Sequence, residues 1–186
     1  VFFYTIMTQY AIEKVIELPN PDVRRRYEDR TYSDLRFGEI LKDIDLLAGE
    51  IAKQYSGGVA VTAALSRLDL LAPVDNNEEL LLKADLNHVG RSSMEVGVRM
   101  ENAGNHIATA YLTFVALSDD MLGLKVLTPF TPGTEEKKRR FAEANWRKNN
   151  YKSSRKLAES PEEHADLAAV LQMEDAKAMS YGYNLL

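Results

Sequence analysis

The chain of 186 residues contains no cysteine. Disulfide bridges, thiolate metal sites and cysteine nucleophiles are therefore excluded, while the redox compartment stays open. Histidine is scarce. His88, His106 and His164 lie far apart, none at ligand spacing from a carboxylate, so no metal site is expected. Basic charge is not in excess either. With 23 Lys and Arg against 28 Asp and Glu the formal net charge is -5, which argues against nucleic acid as a partner. None of the ten glycines falls in a dinucleotide fingerprint or a Walker loop. Long apolar runs are missing as well. Residues 1–7 (VFFYTIM) are apolar but too short to span a bilayer, and they lack the basic region that opens a secretory signal. No transmembrane helix is expected, and a soluble or peripheral protein is the expectation. A first residue other than Met suggests a fragment or a processed start.

What is present suits a globular domain. At 45% hydrophobic and 27% charged residues, the chain can bury a core and carry appended segments. Residues 10–18 read as an entry strand that stops at Pro19-Asn20-Pro21. Residues 22–34, with Arg24-Arg25-Arg26 among acids, read as a solvated helix or loop. From Phe37 to Tyr55, apolar residues recur in steps of three and four at Phe37, Ile40, Leu41, Ile44, Ala48, Ile51, Ala52 and Tyr55, which predicts a long helix ended by Gly57-Gly58.

The pattern then changes to strands: 59–65, 80–88, 93–100 with period two, and 106–117, the last two joined by the hairpin signal Asn102-Ala103-Gly104-Asn105. One long helix and an antiparallel meander predict an α+β fold, with the sheet wrapped around the helix. Beyond Thr131-Pro132-Gly133 a basic helix is expected, carrying Lys137, Lys138, Arg139, Arg140 and further cations to Lys156. A last helix is expected from Ser160-Pro161. Phe141 and Trp146 are expected to pack the basic helix on the domain.

Several motifs in this order resemble those of the hotdog acyl-CoA thioesterases. Phe37-Gly38 and Ile44-Asp45-Leu46-Leu47-Ala48-Gly49 resemble the family's F-G-G and M-D-E-x-A-G on its central helix. Val89-Gly90-Arg91-Ser92-Ser93-Met94-Glu95-Val96 resembles V-G-x-T-S-M-E-V, Thr113-Phe114-Val115-Ala116-Leu117 resembles T-F-V-A-L, and Thr131-Pro132-Gly133-Thr134-Glu135-Glu136-Lys137 resembles P-E-T-E-E-E-K. The run Leu35-Arg36-Phe37-Gly38-Glu39-Ile40-Leu41-Lys42-Asp43-Ile44-Asp45 is similar to the first domain of mitochondrial tandem-hotdog thioesterases.

The resemblance implies a hotdog domain over residues 10–130 and the basic helix over 131–159. Residues 160–186 would be helix and linker toward a second hotdog domain missing here. It also implies hydrolysis of fatty acyl-CoA, a mitochondrial matrix location, and no cofactor beyond the CoA of the substrate. The implied partner is a second hotdog domain in cis or in trans, within a homo-oligomer of hotdog pairs.

Thioester hydrolysis needs a group that attacks or delivers water, and donors for the oxyanion. The resemblance assigns the carboxylate to Asp45, as general base or nucleophile. Asp45 borders the apolar stripe and is expected at a packing seam, partly desolvated, with Gly49 one turn on leaving space for a ligand or a backbone. Asp43, two residues away, is expected to be solvated with Arg36, Glu39 and Glu50. For CoA the resemblance points to Gly90, Arg91, Ser92 and Ser93, with Arg91 a candidate phosphate partner; a merely polar strand start is the alternative. The basic helix is a second candidate for the phosphates, and a solvated face the plainer one.

The chain also departs from the family. Where the family has N-H-x-G-x-x-F-G-G, Thr31 stands for Asn, Asp34 for Gly and Glu39 for the second Gly. One side of the usual site is thus lacking, which leaves an acyl-CoA binding module or a structural hotdog subunit as alternatives to an enzyme.

Overall fold

The computed structural model describes residues 5–8, 10–28 and 36–158, with side chains from 10–28 and 36–150. The chain divides into two units, Val1–Ala144 and Asn145–Leu186. The first unit holds a six-stranded sheet. Its strands are β1 (Thr5–Thr8), β2 (Ala11–Ile16), β3 (Ala60–Leu70), β4 (Leu80–Val89), β5 (Ser93–Asn102) and β6 (Asn105–Ala116). Every pairing is antiparallel, in the order β1-β2-β4-β5-β6-β3. β3 therefore leaves its neighbours in sequence and forms an edge.

Against one face lies α2 (Phe37–Ser56), of 20 residues. Gly57 closes it in the left-handed region at φ 62°, where a glycine costs nothing and its N–H reaches the Lys53 carbonyl. The buried side chains of α2, Ile40, Ile44, Leu47, Ala48, Ile51 and Ala52, meet Leu82, Leu86, Met94, Val96, Val98, Leu112 and Phe114 of the sheet in one core. The period-two pattern of β5 works as expected: Met94, Val96, Val98 and Met100 are buried toward the helix. Ala103 and Gly104 both take positive φ, 51° and 76°, as a two-residue hairpin turn demands. This is the α+β hotdog architecture expected from the sequence.

Two expectations need correction. β3 runs well past residue 65, to Leu70, and two register shifts, Thr62/Ala64 and Leu65/Arg67, let it follow the twist of β6. The segment after Pro19 is not simply solvated. A short helix, α1 (Pro21–Arg24), capped by Asn20, buries Val23, and Tyr27 beyond it is wholly buried. Residues 29–35, with Thr31 and Asp34, lie outside the described residues, as do the expected helix and linker over 160–186.

The helix α3 (Glu135–Ala158) follows the connector, with the Thr134 hydroxyl accepting from the Lys137 N–H. Its first turns belong to the first unit, where Phe141 stacks on His88 at 4.7 Å and Ala144 is buried. Phe141 thus packs as expected. Trp146, in the second unit, is 65% exposed. No helix among the described residues is long and apolar enough to cross a membrane.

Candidate active site

Phe37, Leu41, Asp45 and Gly49 stand four residues apart and so form one ridge along α2. Asp45 is half-buried on this ridge. The hydroxyl of Thr62 donates to its Oδ1 at 2.7 Å, bridging α2 to the edge strand β3. Thr62 is paired with Phe114, and Phe114 with Met94, so the three lie in a row across the sheet on its helix-facing side. The first register shift of β3 begins at Thr62, and such irregularities re-aim side chains at sheet edges. Thr62 was not singled out in the sequence, because a threonine in an apolar strand carries no signal of its partner.

One turn on, a Cβ added to Gly49 would stand 3.5 Å from the Phe114 ring. The room beside Gly49 is therefore little more than a methyl group, and an aromatic ring rather than backbone fills the rest. Asp45, Gly49, Thr62 and Phe114 form one compact cluster.

The β4–β5 turn places the other expected residues. Gly90 N–H donates to the Ser93 carbonyl at 2.7 Å. The carbonyls of Ser92 and Arg91 accept from Ala116 and Leu127, at 2.9 and 2.8 Å. These bonds fix the turn while Arg91 points its side chain into solvent. Ser93 is in register with Val115, and Val115 with Val61, next to Thr62. Two strand spacings, about 10 Å, separate Ser93 from that edge. The structure thus brings Gly90, Arg91, Ser92 and Ser93 to the same end of the sheet as Thr62, one row away from the Asp45 cluster.

Asp43 overturns the expectation of solvation. It is 1% exposed, accepts from Lys14 Nζ at 2.7 Å and from the Tyr27 hydroxyl at 2.5 Å. Burial, and then the bond to Asp43, push the Tyr27 hydroxyl well above its usual value of 10.0. The signal was present: Asp43 is three residues from Ile40 and four from Leu47, squarely within the buried stripe. An acid at such a position must be paired, since an isolated buried charge is prohibitively costly.

The basic helix is largely neutralised where it is described. Lys137 and Arg140 face Asp85 at 3.5 and 3.2 Å, Arg140 also meets Glu136, Lys138 meets Glu135 and Arg139 meets Glu143. Burial raises the pKa of Asp85 and the two cations oppose the shift. Next to it on the sheet face that Phe141 covers, Asn87 donates to Glu95 at 3.2 Å. Among the described residues no group of three or more His, Asp or Glu is placed to hold a metal ion.

Comparison with known proteins identifies the family. The thioesterase superfamily profile matches residues 37–109, from the start of α2 into β6. YkhA of Bacillus subtilis, an uncharacterized acyl-CoA thioester hydrolase, is 32% identical over 142 residues, covering 70% of this chain and 81% of its own. The chain belongs to the thioesterase superfamily.

Among solved members, an acyl-CoA hydrolase from Staphylococcus aureus, in complex with butyryl coenzyme A and coenzyme A, superposes with a TM-score of 0.73 at 25% identity. The match covers 88% of this chain and 96% of that one. The same enzyme is known with an aspartate, or with an asparagine, replaced by alanine. A hexameric acyl-CoA thioesterase matches with a TM-score of 0.69 at 26% identity, over 78% of this chain and 93% of that one. The superfamily also includes longer chains: a mitochondrial acyl-coenzyme A thioesterase of Humulus lupulus is 27% identical over 149 residues, and the present chain spans only 28% of its length.

Proposed function

We propose that this thioesterase-superfamily chain hydrolyses fatty acyl-CoA to free fatty acid and CoA, with Asp45 as general base or nucleophile. The observation that carries the reading is the Thr62–Asp45 hydrogen bond at 2.7 Å, on a half-buried carboxylate of the central helix. A bond from a hydroxyl fixes one carboxylate oxygen and leaves the other to act. As a base, Asp45 takes a proton from water while the water oxygen bonds to the thioester carbon; the C–S bond then breaks and the proton passes to the CoA sulfur. As a nucleophile, Asp45 bonds to the thioester carbon and the C–S bond breaks, so that CoA leaves as the thiolate; water then opens the mixed anhydride, freeing the fatty acid and Asp45, and its proton goes to the CoA sulfur.

The aspartate replaced in the S. aureus hydrolase supports this assignment. CoA enters only as part of the substrate, so the reaction uses no cofactor. Gly90, Arg91, Ser92 and Ser93, at the same sheet end as Thr62, would hold its CoA portion.

The edge strand supports a paired assembly. β3 leaves Val61, Leu65 and Leu70 exposed on an edge strand of 11 residues that pairs, among the described residues, with β6 alone, the kind of edge natural proteins cover. A second hotdog domain, in cis or in trans, would cover it and supply the donors that this half lacks, in a homo-oligomer of such pairs. The resemblance of the run from Leu35 to Asp45 to mitochondrial tandem enzymes supports a place in the mitochondrial matrix.

The decisive assay is hydrolysis of medium- and long-chain acyl-CoA by the full-length protein, wild type beside Asp45→Ala. A loss of two or more orders of magnitude in a folded variant establishes the role. A single turnover in heavy-oxygen water labels Asp45 only if it attacks covalently. Glu39, in place of the family's glycine at the helix start and engaged with Arg26 and Lys42 at 4.0 Å, favours a second reading as a non-catalytic subunit or acyl-CoA binding module. Absence of turnover in the wild type would select it.

A further inference from the structure

At the opposite end of the ridge from Gly49, Phe37 and Ile40 of α2 wall a pocket of about 220 Å³ with Leu70, Val74 and Met100. Of its eight described lining residues seven are apolar; the exception, Asn76, has a buried Oδ1 with no hydrogen-bond partner among the described residues. Ile40 and Met100 are core residues at its base, whereas Leu70 stands 60% exposed at the rim.

The wall that carries Val74 is built rather than floppy. Asn102, itself buried, accepts from Asp75 N–H at 2.7 Å, and its amide nitrogen donates to the carbonyls of Asp75 and Glu79 at 3.2 and 3.1 Å. A side chain from the β5–β6 turn thus pins the segment between β3 and β4. The pocket lies on the Asp45 ridge, eight residues and about 12 Å from that carboxylate along the helix. No core side chain among the described residues fills it.

We infer that this pocket receives the distal methylenes of the acyl chain and sets the chain-length preference of the enzyme, an inference that rests on the thioesterase reading. Shape and chemistry fit a hydrocarbon: the described lining offers mainly dispersion contacts and no charged group. A methylene takes up about as much room as a water molecule, ~30 Å³, so about seven fit. Each methylene moved out of water strengthens binding about fourfold. Chains that reach the pocket should therefore bind far more tightly than butyryl-CoA, and the gain should stop once it is full.

The test is equilibrium binding of saturated acyl-CoA from four to sixteen carbons to full-length Asp45→Ala protein, which does not consume the ligand, beside wild-type hydrolysis. Val74→Phe fills the pocket and Val74→Ala enlarges it. The expected result is a rise of at least tenfold in affinity between butyryl-CoA and the preferred chain. Val74→Phe should abolish that rise while leaving butyryl-CoA within about twofold, and Val74→Ala should move the plateau to longer chains, a change no unfolded protein could mimic. Equal effects on every chain length overturn the inference. So does an unchanged profile together with altered oligomer mass in Val74→Phe, which would give the pocket to a partner's side chain. Loss of hydrolysis at every length with the binding profile intact would remove the thioesterase reading and leave the pocket standing.

Discussion

Removing the Asp43 carboxylate should be the most damaging single change outside the hydrophobic core. Asp43 is 1% exposed and holds two partners from elsewhere in the chain: Lys14 of β2 at 2.7 Å, and Tyr27, beyond α1, at 2.5 Å. Tyr27 in turn receives the Arg36 N–H on its carbonyl at 2.5 Å, so the same contact ties both flanks of residues 28–35 to the central helix. Asp43→Ala strands the Tyr27 hydroxyl without its acceptor and takes from the Lys14 ammonium, 16% exposed, the carboxylate it meets at 2.7 Å. Breaking a buried pair from one side costs about 3–5 kcal/mol. Lys14 can reach some water, which places this case toward the lower figure. That is still a large share of the ~5–15 kcal/mol that holds a domain folded.

Tyr27→Phe should cost less, about 1.5–3 kcal/mol, because the carboxylate keeps Lys14 and only one charge-assisted bond is lost. The triple change Asp43→Leu, Lys14→Met and Tyr27→Phe should recover most of the deficit, since apolar groups of similar volume need no partners. Urea unfolding measures all three, with an unchanged slope as the sign that only stability has moved. If Asp43→Ala costs less than about 1 kcal/mol at unchanged slope, the carboxylate is solvated and the network is not structural.

Other outcomes follow from the same contacts. Asp45→Ala should lower kcat about 10²–10⁴-fold, the range for a lost general base, whereas Thr62→Ala should lower it by about tenfold, for one charge-assisted bond of ~1.5 kcal/mol; steady-state kinetics on folded variants separates the two. Tyr27 is raised above 10.0 by burial and by Asp43, so its stabilising contribution is fully present below pH 10 and drains as pH rises beyond; the alkaline fall in thermal midpoint should shrink in Tyr27→Phe. Asp85, raised by burial, stabilises the fold fully only below its usual 3.8 and loses that contribution as pH rises through the raised value. Asp85→Asn should therefore hold or raise the midpoint at pH 7, despite parting from Lys137 and Arg140. A Cβ on Gly97 would come 2.6 Å from Asn87 Nδ2, so Gly97→Ala should cost about 1–3 kcal/mol, and adding Asn87→Ala should recover only part of it, since the bond to Glu95 is lost.

Periodicity made the fold legible where one residue type decides one face. The steps of three and four in α2 and the alternation of β5 are burial patterns written along the chain, and the structure buries those faces. It failed where a contact joins distant segments. Tyr27 precedes Asp43 by 16 residues and Lys14 by 29, and neither has any local signature of the pairing. A stretch dense in charge therefore looked solvated although its tyrosine is at the centre of the domain. Likewise β3 outran its expected end because residues 66–70 are polar in alternation with leucines, a pattern that marks an edge strand as readily as a loop.

The same distinction explains which half of the candidate site could be read. Asp45 and Gly49 share a helix, so their spacing alone places them on one ridge, and a motif on one element survives as a motif. Thr62 reaches Asp45 only because Gly57 reverses the chain and β3 returns antiparallel to β6. The acyl pocket is more remote still, joining the start of α2 to the segment that Asn102 pins from another turn. Residues that act through the fold rather than through one element leave no spacing to find. On the proposed reading, chain-length specificity rests on residues that sequence reading passes over, Val74 and Asn102, while the proposed base or nucleophile, Asp45, stands in a motif of one helix. Asn102→Ala should accordingly broaden chain-length preference without lowering kcat for butyryl-CoA, because it loosens the wall and leaves the Thr62–Asp45 bond untouched. A kcat for butyryl-CoA that falls in step with longer chains would show that the wall and the carboxylate are not separable.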